Sequence, residues 1–189
     1  MTKFLTVLLL TSILFASCLH TDKQKTSSAG DTTAVAIKKN NADTLKPAGY
    51  FKFEGDSVII PHFEIALNLS PKAAEKITKA RETIIVSVFF NGTPKDSSAS
   101  KLEEDGSFYV SHAEKEIAYG QVARFDSIKF PRKIYDQLAD KDIDMTVNVY
   151  SGRKSTRDNL LNCELLADKI SNTANKRFII KGRLIYGDD

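Results

Sequence analysis

The stretch Ile143-Asp144-Met145-Thr146-Val147-Asn148-Val149-Tyr150 sets an apolar side chain at every odd position, against Asp, Thr, Asn and Tyr at the even ones. Successive side chains of a β-strand point to opposite faces, so this period of two predicts a strand with one buried and one wetted face. A helix of the same polarity would space its apolar positions three and four apart. The pattern recurs upstream, where Phe63, Ile65, Leu67 and Leu69 are interleaved with His62, Glu64, Ala66 and Asn68.

Outward from these two segments the chain reads as further short strands. Residues 84–90 are apolar on both faces except at Ser87, which predicts a central strand covered on each side, and Asn91-Gly92 predicts a turn after it. Strands are also expected at 50–54, 57–60, 107–111, 121–130, 160–166 and 177–186, with Gly182 marking a bulge in the last. Two brief helices interrupt them. Ser70-Pro71 supplies an N-cap and a first-turn proline for a helix over 72–80, and Pro131 precedes one or two turns over 132–139. A parallel sheet would need a substantial helix between most strands. The fold class expected is therefore all-β: a single antiparallel β-sandwich with one or two short helical connections, spanning 49–189 and preceded by a disordered tether.

The tether is 18–48, rich in Thr, Ser, Ala, Lys and Asn and without apolar periodicity. Such a composition buries too little surface to offset the entropy of ordering. Thirty flexible residues reach roughly 30 Å on average and about 100 Å when stretched. From Gly49 onward 21 basic residues face 21 acidic ones, so the chain's net +3 belongs to the N-terminal segments. A domain without a dense basic surface argues against nucleic acid as a partner.

Residues 1–17 have the order of a secretory signal: Lys3, an apolar run from Phe4 to Phe15, then Phe15-Ala16-Ser17 before Cys18. The run is too short to span a bilayer as a helix. The small residues before Cys18 resemble the lipobox of bacterial lipoproteins, with the departure that Phe15, not a leucine, stands three residues before the cysteine. That resemblance implies cleavage before Cys18, acylation of its sulfur, and attachment of the chain to a lipid bilayer. Leu19 is not aspartate, which in that family implies the outer membrane, facing the periplasm, with surface display as the second choice. Asp31-Thr32-Thr33 and Asp43-Thr44-Leu45 resemble a bacterial O-glycosylation sequon or are simply a polar linker.

The second half of the folded region is loosely similar to a C2-type sandwich: Val147-Asn148-Val149-Tyr150 runs into a polar loop, 151–159, and Leu160-Leu161 begins another strand. Calcium-binding C2 loops carry several carboxylates, and this loop offers Asp158 among Arg153, Lys154 and Arg157. Transthyretin-like lipoproteins that anchor secretion machinery are a second loose likeness. Neither licenses transfer of a site.

Chemistry-bearing motifs are sparse. The sequence holds no Gly-x-Ser-x-Gly elbow, phosphate-binding glycine loop or His-Glu-x-x-His helix. With His20, His62 and His112 as the imidazoles and Cys163 as the one cysteine beyond Cys18, no zinc constellation and no cofactor are expected. Cys163 lies between leucines two positions away on either side and is expected to point inward. His62 with Glu64 reads as a surface pair, and His112 as a solvated loop residue. The most distinctive candidate is the loop 151–159, where Arg153, Lys154 and Arg157 could contact an anion or an acidic partner; the bland alternative is a long turn kept soluble by charge. The expected function is a non-catalytic binding or assembly module for an envelope protein or a glycan. The alternative is a carboxylate-dependent hydrolase acting on cell-wall or carbohydrate substrates, which requires two close acidic groups with unusual proton affinities.

Overall fold

The computed structural model describes residues 49–98, 100–104 and 106–187. The signal assigned to 1–17 and the lipidated cysteine and linker assigned to 18–48 lie outside the described residues.

The elements run β1 (Lys52–Glu54), β2 (Ser57–Ile59), β3 (Phe63–Leu69), α1 (Pro71–Lys79), β4 (Ile84–Gly92), β5 (Phe108–Ile117), β6 (Ala123–Phe125), β7 (Lys129–Pro131), α2 (Arg132–Gln137), β8 (Asp144–Ser151), β9 (Leu161–Cys163), β10 (Leu166–Lys169), α3 (Ile170–Thr173) and β11 (Arg177–Leu184). They form two four-stranded sheets, ordered β10-β8-β4-β5 and β6-β3-β11-β9, and a small sheet β1-β2-β7. The fold is an all-β sandwich. Its core is built from the alternate residues that the period of two singled out: Met145, Val147 and Val149 from β8 face the same interior as Val86, Val88 and Phe90 from β4 and Phe63 and Ile65 from β3. Across that interior the Phe63 ring stacks on Phe125 at 4.9 Å and meets Phe90 edge-on at 6.2 Å.

Helix α1 begins as its sequence dictates. The Ser70 hydroxyl accepts from the Ala73 backbone N–H at 3.2 Å, Pro71 occupies the first turn, and Ala73 and Ile77 turn into the core.

Several expectations are corrected. Strand β11 runs parallel to β3, from Arg177 opposite Glu64 to Gly182 opposite Leu69, while every other ladder is antiparallel. The chain between them is nearly the whole domain and passes through the opposite sheet, so this parallel pair needs no single crossover helix. Asn91-Gly92 is the end of β4, not a turn, and the ladder bulges between Phe90 and Asn91. Gly182 carries no bulge; a Cβ there would lie 2.6 Å from Cys163 Sγ and 2.7 Å from Leu69 Cδ2, so the glycine allows a close approach of strands. Strand β5 continues to Ile117, which places His112 within it rather than in a loop.

The segment 121–130, read as one strand, is two. Strand β6 pairs with β3 and β7 pairs with β2, and the connection between the ladders is a single bond from Ile60 N–H to Ile128 C=O at 2.9 Å. Both chains break at the same level. Pro61 removes a ladder donor on one side, and Ser127 adopts a left-handed φ of 58° on the other. This double break is where the two chains leave one sheet for the next.

Candidate functional site

The sheet-switching corner opens a cavity of about 360 Å³. Ile59 and Pro61 give it an apolar side, and Lys52, Glu54, His62, Asp126 and Asn175 give it polar groups. His62 Nδ1 lies 2.5 Å from Asp126 Oδ1, and Nε2 faces Glu64 Oε1 at 3.8 Å. Asn175 follows α3 in a left-handed conformation, φ 57°, and its backbone N–H donates to the His62 carbonyl at 2.7 Å. Three chain segments distant in sequence are thus pinned around one imidazole.

Beneath His62, Glu64 is held between two guanidinium groups. Arg177 Nε donates to Oε2 at 2.6 Å, and Arg124 Nε lies 3.0 Å from Oε1. The Arg177 hydrogen bond, more than the attraction of Arg124, holds this carboxyl below the usual glutamate range. The sequence pairing of His62 with Glu64 was therefore correct as to neighbours but incomplete, because Asp126, Arg124 and Arg177 arrive from elsewhere in the chain.

Loop 151–159 proves to be organised around an anion that the protein itself provides. Glu82, 3% exposed, accepts from the backbone N–H of Lys154 at 2.9 Å and of Ser155 at 2.7 Å, and from the Ser155 hydroxyl at 2.5 Å. It also accepts from its neighbour Thr83 N–H at 3.0 Å. Burial, the largest single influence, pushes this carboxyl up, but the four donors together outweigh it and hold the group below the usual range. Lys154 Nζ turns to Glu116 at 3.0 Å. The loop's inward donors are spent internally. Arg153 and Arg157 are exposed, and Lys154 is drawn away to the neighbouring strand. Lys154 is thus committed to Glu116 while Arg153 and Arg157 stand exposed on a loop clamped to Glu82.

A third group lies on the outer face of β4 and β5. Ser87 Oγ is 2.8 Å from His112 Nε2, a nucleophile-to-base distance that no local motif signals. Two observations decide against catalysis. Ser87 is 2% exposed, out of a substrate's reach, and the His112 ring stacks on Phe89 with centroids 4.4 Å apart. Tyr150 donates to Glu114 at 2.8 Å across the same face. Register explains the assembly: Ser87 lies opposite Glu114 and Phe89 opposite His112 in the β4–β5 ladder. The network satisfies a buried hydroxyl on a sheet surface.

Cys163 is half-buried with a free thiol, and burial pushes its proton affinity up to about 11. Among the described residues no group of three or more His, Cys, Asp or Glu side chains could hold a metal ion, and no helix is long and apolar enough to cross a membrane. Comparison with known proteins finds no matching family model, no matching curated sequence and no matching solved structure.

Proposed function

We propose that this protein is a bacterial lipoprotein, held to the cell envelope through acylated Cys18, whose β-sandwich is a non-catalytic binding or assembly module for an envelope protein or a glycan. The reading of address rests on the order of Lys3, the apolar run and the small residues before Cys18. The reading of role rests on one observation. Each described carboxylate with a clearly shifted proton affinity, namely Glu64, Glu75, Glu82, Glu116 and Asp142, is shifted downward. Cations and hydrogen-bond donors hold these groups ionised. A hydrolase of the two-carboxylate kind needs one acid held protonated near neutral pH, the opposite direction. The polar corner beside His62 supplies donors and acceptors for recognition.

The attachment is tested by mass measurement of the mature N-terminal peptide from an expressing bacterium. The expected result is acylated Cys18 in the membrane fraction, and a Cys18→Ala form that leaves it. A soluble mature chain with an unmodified Cys18 would overturn the anchor. Crosslinking in native envelopes tests the role: a discrete protein or glycan adduct supports it, whereas turnover of purified cell-wall or oligosaccharide substrates would favour the hydrolase.

A further inference from the structure

We infer that the corner cavity beside His62 is a saccharide site, taking one or two sugar units of a neutral glycan. This rests on the binding-module reading and narrows its partner from an envelope protein or a glycan to the second.

The lining has the two-sided character of a sugar ring. A pyranose presents apolar C–H faces and a rim of hydroxyls that both donate and accept. The cavity sets the apolar side of Ile59 and Pro61 against Asp126, the Asn175 amide and the Ser127 hydroxyl. Its volume of about 360 Å³ stands near the lower end for small-molecule sites. Charge argues the same way. Asp126 is answered by His62 at 2.5 Å, and Glu54 on the rim by Lys129 at 2.8 Å. Lys52 on the same lining is exposed and adds a donor. A cationic ligand would have to displace one of these partners, whereas a sugar hydroxyl can add to them. The His62 contact uses Asp126 Oδ1, and with 64% of that side chain exposed its carboxylate still accepts a second donor from solvent.

The backbone that carries these groups is also fixed in place, which lowers the entropy that binding costs. Asn175 is tied by its backbone to the His62 carbonyl at 2.7 Å, and Glu64 N–H donates to the Lys176 carbonyl at 2.9 Å. The corner is therefore held from β3, from the β6–β7 connection and from the end of α3 at once.

The test uses the mature chain carrying Cys18→Ser, so that it is soluble whatever the fate of the anchor. Amide NMR spectra are recorded on titration with chitobiose, cellobiose and maltose. At least one sugar should shift amides at 59–62, 126–127 and 175, with a millimolar dissociation constant expected for so small a contact. Asp126→Ala should weaken binding about tenfold. Asn175→Gly, which keeps the left-handed backbone and deletes only the amide side chain, should weaken it about fivefold. Spectra of both variants elsewhere in the domain report whether they fold. No shift at the corner with any of the three sugars, or shifts that persist unchanged in both folded variants, would overturn the site. Lipidation at Cys18 is read separately, so either conclusion can fail alone.

Discussion

Ser155 gives both its backbone N–H and its hydroxyl to Glu82, at 2.7 and 2.5 Å, across 73 residues of sequence. The contact ties the connection after β8 to the residues before β4, and Gly152 N–H reinforces it by donating to the Thr83 carbonyl at 2.7 Å. A Cβ on Gly152 would lie 2.1 Å from Thr83 Oγ1, so the crossing is as close as glycine permits.

Removing the Glu82 carboxylate should therefore cost more than a surface substitution. Glu82→Ala strips three donors of the 151–159 loop of their acceptor, and unfolding in urea should show a loss of about 2–3 kcal/mol. Glu82→Gln keeps the shape and should lose about half as much.

The same group gives stability a defined pH dependence. Its folded-state proton affinity lies below the ordinary glutamate value, so its contribution is complete above that value and disappears as pH falls through the lower, folded one. Between neutral pH and acid, the wild-type chain should lose stability more steeply than Glu82→Gln. Superimposable pH–stability curves would show that Glu82 is not held ionised by the loop.

Gly182→Ala should destabilise by about 1–3 kcal/mol, since its Cβ would meet Cys163 Sγ and Leu69 Cδ2 well inside contact distance. The denaturation midpoint measures this. Gly182→Ala at the wild-type midpoint would mean that β9 and β11 sit farther apart than described here.

Cys163 should be slow to alkylate in the native protein. Burial that pushes its thiol up to about 11 leaves roughly a hundredfold less thiolate near pH 8 than an ordinary cysteine has. Peptide mapping after iodoacetamide should find Cys163 protected until denaturant is added.

Ser87 and His112 should be energetically coupled. A double-mutant cycle with Ser87→Ala and His112→Ala should return about 0.5–1.5 kcal/mol, because each single change leaves one polar partner behind. Additive effects would reduce the contact to proximity.

Much of the sandwich was legible because alternation is a local property. Residues 143–150 and 63–69 announced their buried faces, and Ser70-Pro71 announced α1, with no information from elsewhere. The errors share a cause. Segments 121–130 and 160–166 each read as one strand because apolar residues recur throughout them, yet each is divided between two sheets by where its neighbours lie. His112 read as a loop residue because Glu114, Lys115 and Glu116 are charged, although an edge strand tolerates charge on its exposed positions.

The sequence by itself determined the class of fold, the start of α1 and the neutrality of the domain, since all follow from neighbours along the chain. Tertiary structure alone decided what the polar residues do. Glu82 meets Ser155 across 73 residues, Ser87 meets His112 across 25, and His62 meets Asp126 across 64. Hydrogen bonds act over about 3 Å while sequence separation carries no distance, so only the packed sheets could reveal which donor found which acceptor.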